Sequence, residues 1–268
     1  QHSRNDAAGQ NDLFGLAAAE KTPARPARVA EVPEWDEAER LRGEKETLGI
    51  YLTGHPISRV AAELAAINTT RLRDLIENGG TLRRGGDRSV LIAGLVVSLR
   101  TRNANRGGRI AFVTLDDGSG RLEVRIFPEV YERHRQSIIE DAIVLVQGAL
   151  GWDEFNQTTR FNVERVLGLD EARAEYARRL VVRIEARQCE AGALRQLASI
   201  LTEHRAEGRC AVWADYIGSG ARVELAFGPN WRVKPGDGLL ERLRALAGPE
   251  AVQLRYEQPP SAERDSLG

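Results

Sequence analysis

In SVLIAGLVVSLRTRNANRGGRIAFVTLDDGSGRLEVRIF, residues 89–127, the apolar pattern changes from a helical to a strand period. Residues 89–100 are strand material, and RIAFVTLDD (109–117) is a second strand. Ser119 and Gly120 make a tight turn into RLEVRIF (121–127). There Leu122, Val124 and Ile126 share one face, and Glu123, Arg125 and Phe127 share the other. Pro128 opens a short helix over PEVYERHRQSII (128–139), and two further strands follow, AIVLVQGAL (142–150) and TRFNVERVLGL (159–169). Three strands, a helix and two strands are the element order of an OB-fold, a five-stranded Greek-key barrel. Gly94 in the first strand suits the sharp coil that barrel closure imposes.

Upstream the pattern is helical. PEWDEAERLRGEKETLGIYL (33–52) places acids in a first turn after Pro33 and repeats Trp35, Leu41, Leu48 and Leu52 at helix-like spacing. TGHP ends this helix, with Gly54 free to turn left-handed and Pro56 unable to continue it. ISRVAAELAAI (57–67) and RLRDLIEN (71–78) predict two more helices, closed by Gly79 and Gly80. Residues 1–33, rich in Ala, Arg, Pro, Asn and Asp, have no apolar period and read as a disordered arm.

Downstream, DEARAEYARR (170–179) reads as a connecting helix. LVVRIEA, AGALRQLASILTEHR, CAVWADYI, RVELAFG, GDGLLERLRALAG and AVQLRYE then run β-α-β-β-α-β, the split-βαβ signature. The tail QPPSAERDSLG reads as disordered. The expected fold class is α+β multidomain. It comprises an arm (1–33), a helical connector (34–84), an OB-fold barrel (85–169), a βαββαβ domain (170–258) and a tail (259–268).

The 268 residues are 42% apolar, enough for several cores, and carry a formal net charge of −1. Any basic site must therefore be local. Cys189 and Cys210 form no CxxC pair and have no histidine at ligand spacing, which favours reduced thiols over a zinc site. No apolar run is long enough to span a bilayer and there is no secretory signal, so a cytoplasmic location with no membrane partner is expected. The chain contains no Met, which points to a fragment or processed piece.

Catalytic signatures are missing. Nucleotidyl transfer needs carboxylates that converge on Mg²⁺, and alternate strand positions converge where adjacent ones diverge. Asp116 and Asp117 are adjacent and precede Gly118, Ser119 and Gly120, so they read as hairpin-turn residues. No catalytic residue, metal ligand or cofactor is expected in this segment. The binding signal is RTRNANRGGR (100–109), between the first two strands, where Arg100, Arg102, Arg106 and Arg109 occur without an acid. In an OB-fold this loop edges the groove for single strands. Arg125 on the third strand and the aromatic residues Phe112, Phe127, Trp152 and Phe155 are the neighbouring candidates. Phe112 reads as core before platform, because the facing of the second strand is not fixed by one sequence. Trp152 and Phe155 fall in the loop between the last two strands.

One stretch fits no domain. GQNDLFG (9–15) sets Leu13 and Phe14 in a segment with no core to join. Such a peptide can dock, with the Leu-Phe pair filling an apolar pocket and the Gln10 amide at its rim. QNDLF resembles the sliding-clamp-binding motif of bacterial replication proteins. EKETLGIYLTGHPI (44–57), residues 92–127, DEARAEYARRL (170–180) and FGPNWRVKPGDGLLERLRALAG (227–248) resemble, in order, the C-terminal region of the α subunit of bacterial DNA polymerase III.

The resemblance implies a DNA-directed DNA polymerase as the parent chain, using Mg²⁺ at aspartates in an upstream palm domain. Its C-terminal portion would bind the sliding clamp through Gln10, Asp12, Leu13 and Phe14, with Asn11 variable. The barrel would contact single-stranded template, and the last domain would attach to the τ subunit of the clamp loader. The clamp motif and tail favour the replicative form over its error-prone relative. A stand-alone OB-fold protein binding single-stranded nucleic acid is the alternative.

Overall fold

A computed structural model describes residues 34–77, 88–104, 107–153, 158–190, 192–218 and 220–256. The expected arm and its Gln10, Asp12, Leu13 and Phe14, together with Gly79, Gly80, Arg106, Phe155 and the tail, lie outside the described residues.

The connector begins with α1 (Glu37–Leu48). Asp36 opens it, its Oδ1 accepting the Glu39 backbone N–H at 2.8 Å. The helix stops earlier than expected. Gly49, with φ +74°, makes the left-handed turn, and Gly54 does not. The Glu44 carboxylate then accepts the N–H groups of Leu52 and Thr53 at 2.7 and 3.0 Å, which ties the chain back to the end of the helix. Of the apolar repeat only Leu41 is buried, while Trp35, Leu48 and Leu52 are exposed. The next expected helix divides into a 3-10 turn (Pro56–Val60) and α2 (Ala61–Ala66), and α3 (Leu72–Glu77) follows.

The barrel consists of β1 (Arg88–Asn103), β2 (Arg109–Asp116), β3 (Arg121–Ile126), α4 (Pro128–His134), β4 (Ile143–Asp153) and β5 (Thr158–Gly168). It closes in the order β1-β2-β3-β5-β4, with β3 and β5 parallel. β1 serves two neighbours, pairing β4 through residues 88–95 and β2 through 95–103. Gly94 lies at this change of partner, where an added Cβ would sit 2.9 Å from Leu115 Cβ. The expected role of that glycine thus has a steric cause. Ile92, Val113, Val124, Val146 and Phe161 lie among the buried side chains of the barrel core.

α5 (Leu169–Tyr176) leads into β6 (Ala177–Glu185). α6 (Ala186–Glu190), α7 (Ala193–Glu203), β7 (Arg205–Ile217), β8 (Arg222–Ala226), β9 (Arg232–Val233), α8 (Asp237–Ala247) and β10 (Val252–Tyr256) complete the described chain. The β-α-β-β-α-β order is as expected, with α6 and β9 as short additions. The split pairing is not. β6 and β7 pair directly and in parallel, giving the order β10-β6-β7-β8, with β9 also on β7. The reason is apolar content. β7 buries Cys210, Val212 and Ala214, whereas Val223 and Leu225 of β8 remain exposed. The strand able to line a helix-covered face takes the centre, and the poorer one takes the edge.

A buried ionic node joins the connector to this second sheet. Arg173 on α5 is 2% exposed. Its Nε and Nη2 donate to the two carboxylate oxygens of Glu63 at 2.7 and 3.0 Å. Its Nη1 donates to Asp170 and Asp237, and the Tyr256 hydroxyl also donates to Glu63. Elements from α2 to β10 therefore converge on one guanidinium.

Candidate nucleic-acid interface

Alternation along β2 buries Ala111, Val113 and Leu115 and turns Ile110, Phe112 and Thr114 outward, half-buried. Along β3 it buries Leu122, Val124 and Ile126 and turns Glu123 and Arg125 outward. Register then builds a row across three strands, since Arg100 faces Phe112 and Phe112 faces Arg125. The Arg125 guanidinium lies 5.8 Å from the Phe112 ring centroid, a cation–π distance. Phe112 is consequently on the outer face and not in the core to which its sequence first assigns it.

This row borders a groove of about 450 Å³ over β2, β3 and β5. Phe112, Arg121, Arg125 and Arg160 line it, and Ile76 of α3 forms part of its wall. Glu123 and Asp153 also line it and temper its positive charge. Arg100 is paired with Glu123. Arg102 and Arg109 are exposed at the base of the β1–β2 loop. Within that loop Ala104 N–H donates to Gly108 O at 3.0 Å, and Gly107 and Gly108 have φ of +88° and +80°. A Cβ at Gly108 would lie 2.7 Å from Pro128 Cβ, so the glycine allows the loop to rest on the start of α4. Trp152, at the end of β4, is half-buried and is not among the groove-lining residues.

The groove therefore unites Phe112 and Arg125, with Arg100 beside them, and leaves Arg102, Arg109 and Trp152 outside its lining. Arg121 was legible from its alternation with Glu123 and Arg125. Arg160 and Ile76 were not, because they come from a non-sequential strand and from the connector.

Asp116 and Asp117 are turn residues. Asp116 Oδ1 accepts the Gly118 N–H at 2.8 Å, and its Oδ2 accepts Arg121 Nε at 2.7 Å. Asp117 accepts N–H groups from Ser119, Gly120 and Leu72. Burial alone would raise the Asp117 pKa, but these donors and the Ser119 hydroxyl hold it below the usual carboxylate value. Among the described residues no cluster of three or more His, Cys, Asp or Glu is placed to hold a metal ion. Also among them, no helix is long and apolar enough to cross a membrane.

A closed five-stranded barrel in this strand order is an OB-fold, and residues 90–166 match the family described as the OB-fold nucleic acid binding domain. A second family, the C-terminal domain of DNA polymerase III subunit alpha, matches residues 196–248. Along nearly all of its length the chain is similar to DNA polymerase III α subunits, as the C-terminal segment of such a chain. It is 38% identical over 258 residues to the DNA polymerase III subunit alpha of Escherichia coli (strain K12), a match covering 96% of this chain and 22% of that protein. The Vibrio cholerae and Pseudomonas aeruginosa subunits are 37% and 36% identical, each match covering 96% of this chain and 21% of the relative. The chain thus spans about a fifth of the length of these relatives.

Proposed function

We propose that this segment holds a replicative DNA polymerase on its template and to its accessory proteins. The observation that carries the reading is the Phe112–Arg125 pair bordering an open groove on an OB barrel. Arginine there can contact phosphate, and the outward, half-buried Phe112 ring offers a stacking surface for bases of single-stranded template. The parent chain, on this reading, is a DNA-directed DNA polymerase in the cytoplasm. The resemblance puts its Mg²⁺-binding aspartates in another part of such a chain, and the engagement of Asp116 and Asp117 in a turn is consistent with that.

Gln10, Asp12, Leu13 and Phe14 would dock on the sliding clamp, and the C-terminal α/β domain would attach to the clamp-loader τ subunit. Several modest contacts on one chain raise effective concentration, so the assembly persists while individual contacts exchange. Fluorescence anisotropy with oligo-dT tests the barrel. Phe112→Ala with Arg125→Gln should weaken binding at least about fivefold, since one base stack is worth about 1–3 kcal/mol. Unchanged affinity would reject the groove. Leu13→Ala with Phe14→Ala should abolish retention on immobilised clamp, and undiminished retention would remove the docking peptide from this reading.

A further inference from the structure

The C-terminal sheet has two unlike faces. Leu180, Val182, Ile184 and Val212 pack with Leu197 and Leu201 of α7 and Leu239 and Leu243 of α8. The alternating residues point the other way and are rich in arginine. Arg255 of β10 sits directly opposite Arg179 of β6, Arg179 is registered with Ala211 of β7, and Ala211 with Arg232 of β9. Three arginines thus share one row across the sheet. Like charges directly opposite each other on a sheet destabilise it unless something offsets them. Glu224 reaches Arg255 at 2.9 Å, and Arg179 lies 4.8 Å from the Trp213 ring centroid.

Two same-face positions further along β7 from Ala211, the Asp215 side chain is 3% exposed and orients two guanidiniums. It accepts Arg183 Nε at 3.2 Å, and Arg222 Nε and Nη2 at 2.7 and 2.8 Å. One carboxylate between two arginines leaves the trio net positive. The Arg183 and Arg222 side chains are 37% and 60% exposed, so their outer edges meet solvent. The two other acids on this face are also paired, Glu224 with Arg255 at 2.9 Å and Glu185 with Arg187 at 2.7 Å. Guanidiniums held in place lose little freedom on meeting a phosphate and present a planar fork to it.

We propose that this face is a second nucleic-acid contact, separate from the barrel groove, which takes the phosphate backbone of a single strand. Arg179, Arg232 and Arg255 form the phosphate row, the Asp215-held Arg183 and Arg222 extend it, and Trp213 lies among them. An acidic protein segment would satisfy the same charges. The half-buried aromatic ring within the arginine row favours a strand with bases to stack. That the ligand is nucleic acid rests on the reading of the barrel.

The test uses the full chain and two oligo-dT lengths, about 10 nucleotides, within the site size of one OB-fold, and about 40 nucleotides, long enough to leave it. Arg179→Gln with Arg232→Gln alters exposed side chains that hold no buried carboxylate, and circular dichroism verifies the fold. With the long strand, the slope of log affinity against log salt should fall by about 1.4, since each single-strand phosphate contact contributes about 0.7. The short strand should bind this variant as it binds the unaltered chain, and it reports on the barrel independently. An unchanged long-strand slope overturns the proposal. So does unchanged long-strand binding accompanied by lost retention of purified τ subunit, which would make this a protein-docking face.

Discussion

Replacing Arg173 by Met should loosen the chain more than any single surface change. The side chain is 3% exposed and bonds Glu63, which is 15% exposed. Removing one partner of a buried pair leaves the other charge uncompensated and costs about 3–5 kcal/mol. At about 2–4 °C per kcal/mol for a chain of this size, Tm should fall by about 6–20 °C. Asp170 and Asp237 reach the same guanidinium but are 56% and 63% exposed. Pairs of that kind contribute about 0–1 kcal/mol, so Asp237→Asn should shift Tm by less than about 4 °C.

The electrostatics agree with this ranking. Burial alone would lower the Arg173 pKa, but the hydrogen bonds and charges of Glu63 and Asp237 raise it above that of ordinary arginine. Thermal unfolding followed by circular dichroism gives the assay, and added salt should change the Arg173→Met deficit little, because buried pairs are weakly screened. Glu63→Gln combined with Arg173→Met should cost less than the two changes summed, by about 0.5–3 kcal/mol. A Tm loss below about 2 °C for Arg173→Met, or strict additivity, would refute the node as the joint between connector and C-terminal sheet.

Two further outcomes follow from the packing. Gly148 lies at the register shift between β4 and β5, where an added Cβ would be 2.2 Å from Asn162 O and 2.6 Å from Phe161 Cε1. Gly148→Ala should therefore destabilise by about 1–3 kcal/mol in urea unfolding, and an unchanged midpoint would contradict the close approach. The Tyr51 hydroxyl is pushed up to about 12 by burial and by the hydrogen bond and charge of Asp141. Its folded value lies above its unfolded value, so its stabilisation is complete below pH about 10 and is lost between about 10 and about 12. Tyr51→Phe should flatten that part of the stability–pH curve, and an unaltered curve would rule out the contact.

Much of this protein is local information. Strict alternation in RLEVRIF separated the buried from the exposed residues of β3, and the Asp-Asp-Gly-Ser-Gly run announced a turn with no converging carboxylates. The order of strands and helix was enough for an OB barrel, because period and turn chemistry depend on neighbours within a few positions. Other features were decided by distant parts of the chain. Which side of β2 faces inward, and hence whether Phe112 is core or platform, depends on which strands flank it. The parallel β6–β7 pairing depended on competition between β7 and β8 for a helix-covered position, and element order does not record that competition. Gly49 ended α1 ahead of Gly54 because the Glu44 carboxylate captured the following backbone. The Arg173 node draws on Glu63, 110 positions away, and Tyr256 lies 193 positions from the same carboxylate. A buried charge is compensated by whatever the fold brings to it, and a sequence pattern with a reach of a few residues cannot name a partner at that distance.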